Sequence, residues 1–328
     1  MDYQIIIIKQ AKSYDISDIA GGISWSDNVE SLGMEFCFSA GVSEEIYFSK
    51  FIIDVGDMVL FRKESEIFRG IIVNKTISNT TEQSFKAYDF CWYLNKSKLI
   101  KQFNGINAGE AIKQLCSEMN MKLGKIATMK SNISHIYYDK TVSDIIDDIL
   151  EQETAETAKI YIKEMRGDSF YVFEKGILFI NPIYKPAINI APFPVVNEIG
   201  GFHREWSIED MKNAIKIVSA SEKSVRIWGE ANDEQNIQKY GLLQEIETVD
   251  EKDFNKAQNI AQNKLKQYNK VGETFSIDVL GDDTVRARRM ITIYNEKIGV
   301  TGDFFIKNCS HTVSGGVHTM SMELEAVL

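Results

Sequence analysis

Proline, histidine and paired cysteine are what this sequence has least of. Four prolines in 328 residues, and no stretch rich in Pro, Gly or Ser, leave no visible linker, so domain boundaries have to be read from changes of periodicity. No segment repeats at a fixed period. The four cysteines, Cys37, Cys91, Cys116 and Cys309, form no C-x-x-C pair and sit among apolar neighbours, which favours buried free thiols over a disulfide frame. No apolar run approaches the ~20 residues of a membrane helix. The run Ile5 to Ile8 has no basic residues before it and charged residues after it, unlike a secretory leader. The chain therefore reads as soluble and made in the cytoplasm, and the Asn-x-Thr matches at Asn74 and Asn79 lose their meaning as glycosylation sites. Positive charge is also short. Forty-seven acidic against 37 basic side chains give a formal charge of -10, which repels a phosphate backbone and sets nucleic-acid binding aside.

What is present is a chain of ordinary globular composition, 44% hydrophobic and 26% charged, long enough for two or three cores. From Tyr3 to about Tyr93 it is dense in Ile, Val, Phe, Tyr and Thr and broken by glycines, which predicts short strands joined by turns. Met58 to Arg62 and Ile67 to Val73 show this best, and Gly70 inside the second run predicts a bulge or a close backbone approach. The period then becomes helical. Asn107 with Glu110, ahead of Ala111, Ile112, Leu115, Cys116 and Met119, predicts one capped helix; Thr141 with Asp144, ahead of Val142, Ile145, Ile146, Ile149 and Leu150, predicts another. Ala158 to Met165 and Ser169 to Glu174 read as a hairpin turning at Arg166-Gly167-Asp168. Beyond Pro194 strands return, with a hairpin of Asn213 to Ala220 and Ser224 to Gly229 around Ser221-Glu222-Lys223. A helix over Ala257, Ile260, Ala261, Lys264, Leu265 and Tyr268 starts from Asp250 and Asp253. The last stretch predicts strands Thr274 to Leu280, Arg288 to Tyr294 and Phe304 to Ser310, a break near Gly299 to Asp303, and a hairpin of His311 to Val313 with Thr319 to Leu324. The fold class is thus α+β, mainly β, in three parts: 1–100, 101–190 and 191–328, an α+β insert between two barrel-like units.

Chemistry is sparse by comparison. His311 and His318 flank the last hairpin, but two imidazoles without a third ligand rarely hold zinc. His203 and Glu205 match half of a zinc deaminase signature whose P-C-x-x-C is missing. A cell-wall hydrolase needs a Cys/His pair or two carboxylates in a cleft. Cys116 lies on a buried helical stripe, and Asp144, Asp147, Asp148 and Glu151 form the solvated face of a helix. No G-x-x-x-x-G-K-[ST] or G-x-G-x-x-G cradles a phosphate. Trp25 and Trp228 suit subunit interfaces, though half-buried strand positions explain each of them better. The sequence therefore predicts no enzyme, no catalytic, cofactor-binding or metal residues, and no cofactor. A carbohydrate- or receptor-binding module, and after it a peptidoglycan hydrolase, remain the rival functions.

The order of landmarks is more telling than any motif. Tyr14-Asp15-Ile16-Ser17-Asp18 ahead of Ser24-Trp25-Ser26, Ala87-Tyr88-Asp89 to Tyr93-Leu94, and Thr141-Val142-Ser143-Asp144-Ile145-Ile146 resemble the XkdQ/YqbQ-type proteins of PBSX-like prophages. Lys239-Tyr240-Gly241-Leu242-Leu243-Gln244, the helix through Leu265-Tyr268-Asn269, and His311 with His318-Thr319-Met320 and Leu324 continue the resemblance to the end of the chain. It implies a structural hub of a contractile-tail baseplate, from an infectious phage, a defective prophage or a bacteriocin particle. In such hubs two barrel-like tube domains per chain assemble as a homotrimer, with an insert projecting outward, between the sixfold tail tube protein and the threefold central spike protein. The resemblance also implies that chain beyond the insert can complete the first tube domain, and that DNA or a tape-measure protein passes the pore; the net charge of -10 predicts an acidic lining to which DNA would not stick. The protein would start in the cytoplasm of the producing bacterium and end in the virion baseplate. Larger hubs carry a further C-terminal enzyme or spike module, whereas this chain stops at Leu328 directly after its last strand.

Overall fold

A computed structural model describes residues 3–41, 52–78, 81–185, 190–219, 226–249 and 251–327. Its main feature is one long sheet in which eight strands form an antiparallel run. In chain order these are β1 (Ala20–Asn28), β2 (Glu35–Gly41), β3 (Glu66–Ile77), β4 (Glu82–Tyr88), β5 (Gly201–Ser207), β6 (Gly272–Leu280), β7 (Val300–Ser314) and β8 (Val317–Ala326). Their spatial order is β5-β6-β8-β7-β1-β2-β4-β3, after which Met58–Arg62, Gln4–Lys9 and Lys12–Asp15 follow. The two strand-rich parts of the sequence are therefore joined by backbone pairing, His311 opposite Trp25 and Val313 opposite Ile23. Among the described residues the order is an open path, not a closed ring.

Alternation explains why one side of this sheet is dry. On β1, Ile23, Trp25 and Asp27 are buried, and on β2, Phe36, Phe38 and Ala40. Together with Ile5, Val59, Phe61, Phe68, Phe85 and Val313 these apolar residues form the first core. A second core, with Phe275, Ile277, Ile306, Cys309, Met322 and Leu324, lies against β6, β7 and β8. Because directly opposed residues point to the same side of a sheet, the pairing of Cys309 with Asp27 and of His311 with Trp25 puts both cores on one side.

The middle of the chain packs around three helices. Helix α1 (Ala108–Glu118) is capped by Asn107, whose side chain accepts from the Gly109 N–H. Its Glu110 does not close the expected box but meets Lys113 at 2.6 Å. Helix α2 (Val142–Thr157) carries the full reciprocal box of Thr141 and Asp144 and buries the predicted stripe. Both contribute to a third core with Cys91, Leu94, Phe103 and Phe170. Helix α3 (Ala257–Tyr268) covers Ile215 and Ile217 of a small sheet. It follows a 3-10 turn over Glu251–Lys256, and the expected start at Asp250 lies outside the described residues.

Several expectations need adjusting. The hairpin expected at 158–174 begins at Tyr161, because Ala158 ends α2 in a left-handed conformation (φ 59). The pair Ala214–Ser219 and Ile227–Asn232 is antiparallel as predicted, its turn at Ser221-Glu222-Lys223 lying outside the described residues. The predicted break at Gly299 to Asp303 is no break. β7 runs for 15 residues, pairing first with Met290–Asn295 and then with β8. Gly302 at φ 142 and a register shift between Ile306 and Asn308 absorb the strain, since a glycine or bulge bends a strand without ending it.

Candidate functional site

The wet side of the eight-strand run is its most extensive surface feature. Opposed residues can be read across it in rows. Gly201, Asp278, Ser321, Ser310, Ser26, Glu35 and Tyr88 form one, passing from β5 through β4 without leaving that face. Thr319, Thr312, Ser24, Cys37, Lys86 and Asn74 form the next. Serine and threonine recur along these rows, and the charged groups of this face include Glu35, Glu205, Asp278 and Glu323 beside Lys86 and Arg69, with Lys307 3.4 Å from Glu323. Lys86 is held by Glu35 at 3.2 Å, and the Tyr88 hydroxyl donates to the same carboxylate at 2.6 Å.

The three large cores meet at the segment Arg286 to Arg289. Asp27, buried on β1, takes Arg288 Nη1 at 2.5 Å and Arg286 at 3.0 Å. Arg288 also donates to the Asn28 and Ser31 carbonyls, and Arg286 to the Met165 carbonyl at 2.8 Å. Arg289 grips the fully buried Glu164 with both terminal nitrogens, at 2.8 and 3.0 Å, and Arg166 is paired to the same carboxylate. Burial alone would raise the Asp27 carboxyl, but Arg288 and Arg286 outweigh it and hold it below its usual range. Glu164 behaves likewise beside Arg286 and Arg289. Arg288 adopts φ +70, a conformation non-glycine residues keep only when their surroundings impose it. The segment ties Glu164 and Met165 to Asp27 of β1.

The residues singled out in the sequence fall mostly into structural roles. His311 and His318 do face each other, Nδ1 to Nε2 at 2.9 Å. The other His311 nitrogen lies 3.1 Å from the Val285 carbonyl, which can only accept, so His311 donates there and accepts from His318. His318 Nδ1 reaches Tyr3 and Asp283, at 3.2 and 3.3 Å. Burial first, and His318 second, push His311 down to about 3. The nitrogens point to separate partners, and among the described residues no three His, Cys, Asp or Glu converge as metal ligands. Trp25 stacks on His311 with centroids 4.5 Å apart, wholly inside the core. Trp228 packs edge-on to Phe254. His203 and Glu205 stand 3.8 Å apart on exposed strand β5.

The hydrolase candidates also disperse. Cys116 is buried in α1, and burial pushes its thiol up to about 12. The α2 acids are not an idle solvated face: Asp144 caps the helix, Asp147 holds the buried Lys163 at 2.6 Å, and Asp148 accepts from Tyr137 and Gln152. A cleft of about 570 Å³ beside Asp148, Glu151 and Glu247 is crossed by the pair Lys264–Glu247. Neither the arginine junction nor the polar face was singled out from the sequence. The face does leave a trace in it, the alternation Ser310-x-Thr312-x-Ser314 and Thr319-x-Ser321-x-Glu323. The junction leaves none, since its partners lie more than 100 residues apart.

Comparison with known proteins agrees with this architecture. Protein YqbQ of Bacillus subtilis strain 168 is 28% identical over 295 residues, covering 84% of this chain and 83% of that one. The phage-like element PBSX protein XkdQ of the same strain is 29% identical over 290 residues, covering 86% and 84%. Among solved structures, the prophage MuSo2 43 kDa tail protein of Shewanella oneidensis has a TM-score of 0.69 at 11% identity, covering 98% of both chains. A tail protein of Neisseria meningitidis MC58 has the same score at 14% identity, covering 98% and 96%. These last two likenesses concern the fold. The model of the YqbQ-like family matches residues 23–325, and the chain belongs to that family.

Proposed function

We propose that this chain is a non-enzymatic structural subunit of a contractile-tail baseplate, a hub of which three copies surround a central channel. Its partners are then the tail tube protein above and the central spike protein below, and its destination is the assembled particle. The observation that carries this is the joining of both strand-rich parts into one sheet with a continuous hydroxyl-rich, acidic face. Two similar units per chain reconcile a threefold spike with a sixfold tube, and a lining short of cations lets a polyanion pass without binding. The kinship with a PBSX protein and the fold shared with tail proteins support the setting.

We divide the chain into a first tube domain, 1–100, an inserted domain, 101–190, and a second tube domain, 191–328. The placing of β7 beside β1, with Val313 in the first core, supports the reading that chain beyond the insert completes the first domain. Electron cryomicroscopy of particles made with a tagged copy tests the whole reading. Three copies around the axis directly below the tube are expected; label on the particle surface, away from the axis, would replace the hub by a receptor-binding role.

A further inference from the structure

The eight-strand run ends in two incomplete edges. β5 pairs with β6 on one side, and among the described residues no backbone bonds its other side. It carries no proline and no lysine along its seven residues, and its one inward-pointing charge, Arg204, is neutralised by Glu273. Its core-side residues continue buried rows. Phe202 extends the row of Ile277, Met322 and Cys309, and Arg204 that of Phe275, Leu324 and Ile306. Yet Phe202 and Trp206 are 55% and 59% exposed. Phe202 thus ends an apolar row without a cover, and Trp206, opposite Glu273 and 4.6 Å from the Arg204 guanidinium, is the exposed aromatic beside it.

At the other end β3 changes partner midway. Its first half pairs with Met58–Arg62, ending at Ile71, and its second half pairs with β4. Beyond Ile72, which still bonds Asp57 and Gly56, residues 73–77 have no strand on the outer side among the described residues. Ile77 lies there, 63% exposed and on the core side, in the row of Gln83 and Ala40.

We infer that β5 of one copy pairs antiparallel with the second half of β3 of the next copy. This rests on the ring reading above and deepens it by naming the seam. The direction of the strands selects this pair. Rotation about an axis running along the strands leaves each strand's direction unchanged, so an antiparallel run closes smoothly only if each copy contributes an even number. From β5 to β3 there are eight, all antiparallel. Ending at Lys12–Asp15 instead gives eleven, which makes the seam parallel, and that short strand is fully exposed and charged at both ends. The free half of β3 and the open edge β5 are also offset along the strands, as the shear of a closed barrel demands. Head-to-tail contacts of this kind generate rings. The seam covers Phe202 and Trp206 with the neighbour's Ile77 and leaves the hydroxyl-rich face unbroken.

The test uses whole particles assembled in producing cells. In a Cys37→Ser background, His203→Cys or Glu205→Cys is combined with Asn74→Cys or Thr76→Cys, four pairings in all, and particles are oxidised. At least one pairing should give disulfide-linked bands ending at three times 37.3 kDa. In parallel, Phe202→Asp with Trp206→Asp should leave the circular dichroism of the isolated chain unchanged and abolish its incorporation. Particles that contain the chain but yield no linked band in any pairing, or that accept the double aspartate variant, overturn the seam while leaving the ring intact. Particles that lack the unmodified chain overturn the ring reading itself.

Discussion

A carboxylate shut away from water needs hydrogen-bond donors or cations beside it, and Asp27 has two arginines. Removing one partner of a buried ion pair costs about 3–5 kcal/mol, whereas an exposed pair contributes about 0–1. Arg288→Met should therefore lower stability by several kcal/mol, read as a drop in urea midpoint at unchanged slope. Lys98→Met, which breaks the exposed pair with Asp139, should shift it hardly at all. Equal effects would mean that the arginine segment is not a fastening. The histidine pair makes a separate prediction about pH. His311 is held neutral by burial down to about 3, and burial also lowers His318 against the pull of Asp283. The unfolded chain takes up these protons near pH ~6.5, so it binds more protons than the folded one, and stability falls as pH drops below that value. Asp89, which burial raises to about 6, titrates with the opposite sign and partly masks the trend. The difference between the wild type and His311→Gln/His318→Gln isolates it: between pH ~6.5 and ~4.5 the variant's stability should depend less steeply on pH. Parallel curves would show that the pair titrates normally.

At the scale of elements, two local devices carry measurable weight. The Thr141 hydroxyl accepts the Asp144 N–H at the start of α2, and Thr141→Ala should cost about 1 kcal/mol. Gly70 is a matter of space: a Cβ there would stand 2.0 Å from the Tyr88 carbonyl oxygen and 2.6 Å from the Phe68 ring. Gly70→Ala should separate β3 from β4 and cost about 3 kcal/mol or more, seen in thermal melts of the two variants side by side. Both devices were legible in the sequence, as a box motif and as a glycine within an apolar run, because each depends on residues near in sequence or on backbone geometry. The same holds for the stripes of α1 and α2. Short helices were not legible. Cys91–Lys96 has no capping side chain, and Glu234–Tyr240, though capped by Asp233, buries no residue and so shows no apolar period. The parallel pairing of Gln244–Val249 with Ala214–Ser219 was hidden for another reason: alternation reports that a strand has two faces but not which strand lies beside it. The candidate site suffers the same limit, since its alternating hydroxyls are visible one strand at a time while the face exists only across eight.

At the scale of the whole molecule, Ser26, Ser310 and Ser321 of the first row are half-buried or exposed and hold no side-chain hydrogen bond among the described residues, so the charge of that face can be changed with modest effect on folding. Ser26→Lys/Ser310→Lys/Ser321→Lys sets like charges directly opposite one another between Asp278 and Glu35, and should lower the stability of the isolated chain by only about 1–2 kcal/mol in total. In a ring the same three lysines are repeated by every copy around one channel, where cations focus on a polyanion. Variant particles should then retain single-stranded DNA that wild-type particles release, and the retained fraction should fall steeply between about 50 and about 200 mM salt, as counterion release requires. Fluorescence of labelled DNA sedimenting with purified particles measures it. If variant particles assemble with normal numbers of the chain and still bind no more DNA than the wild type, the hydroxyl-rich face does not line the channel; the sheet would then have to be turned the other way, with its polar side toward solvent and its cores toward the axis.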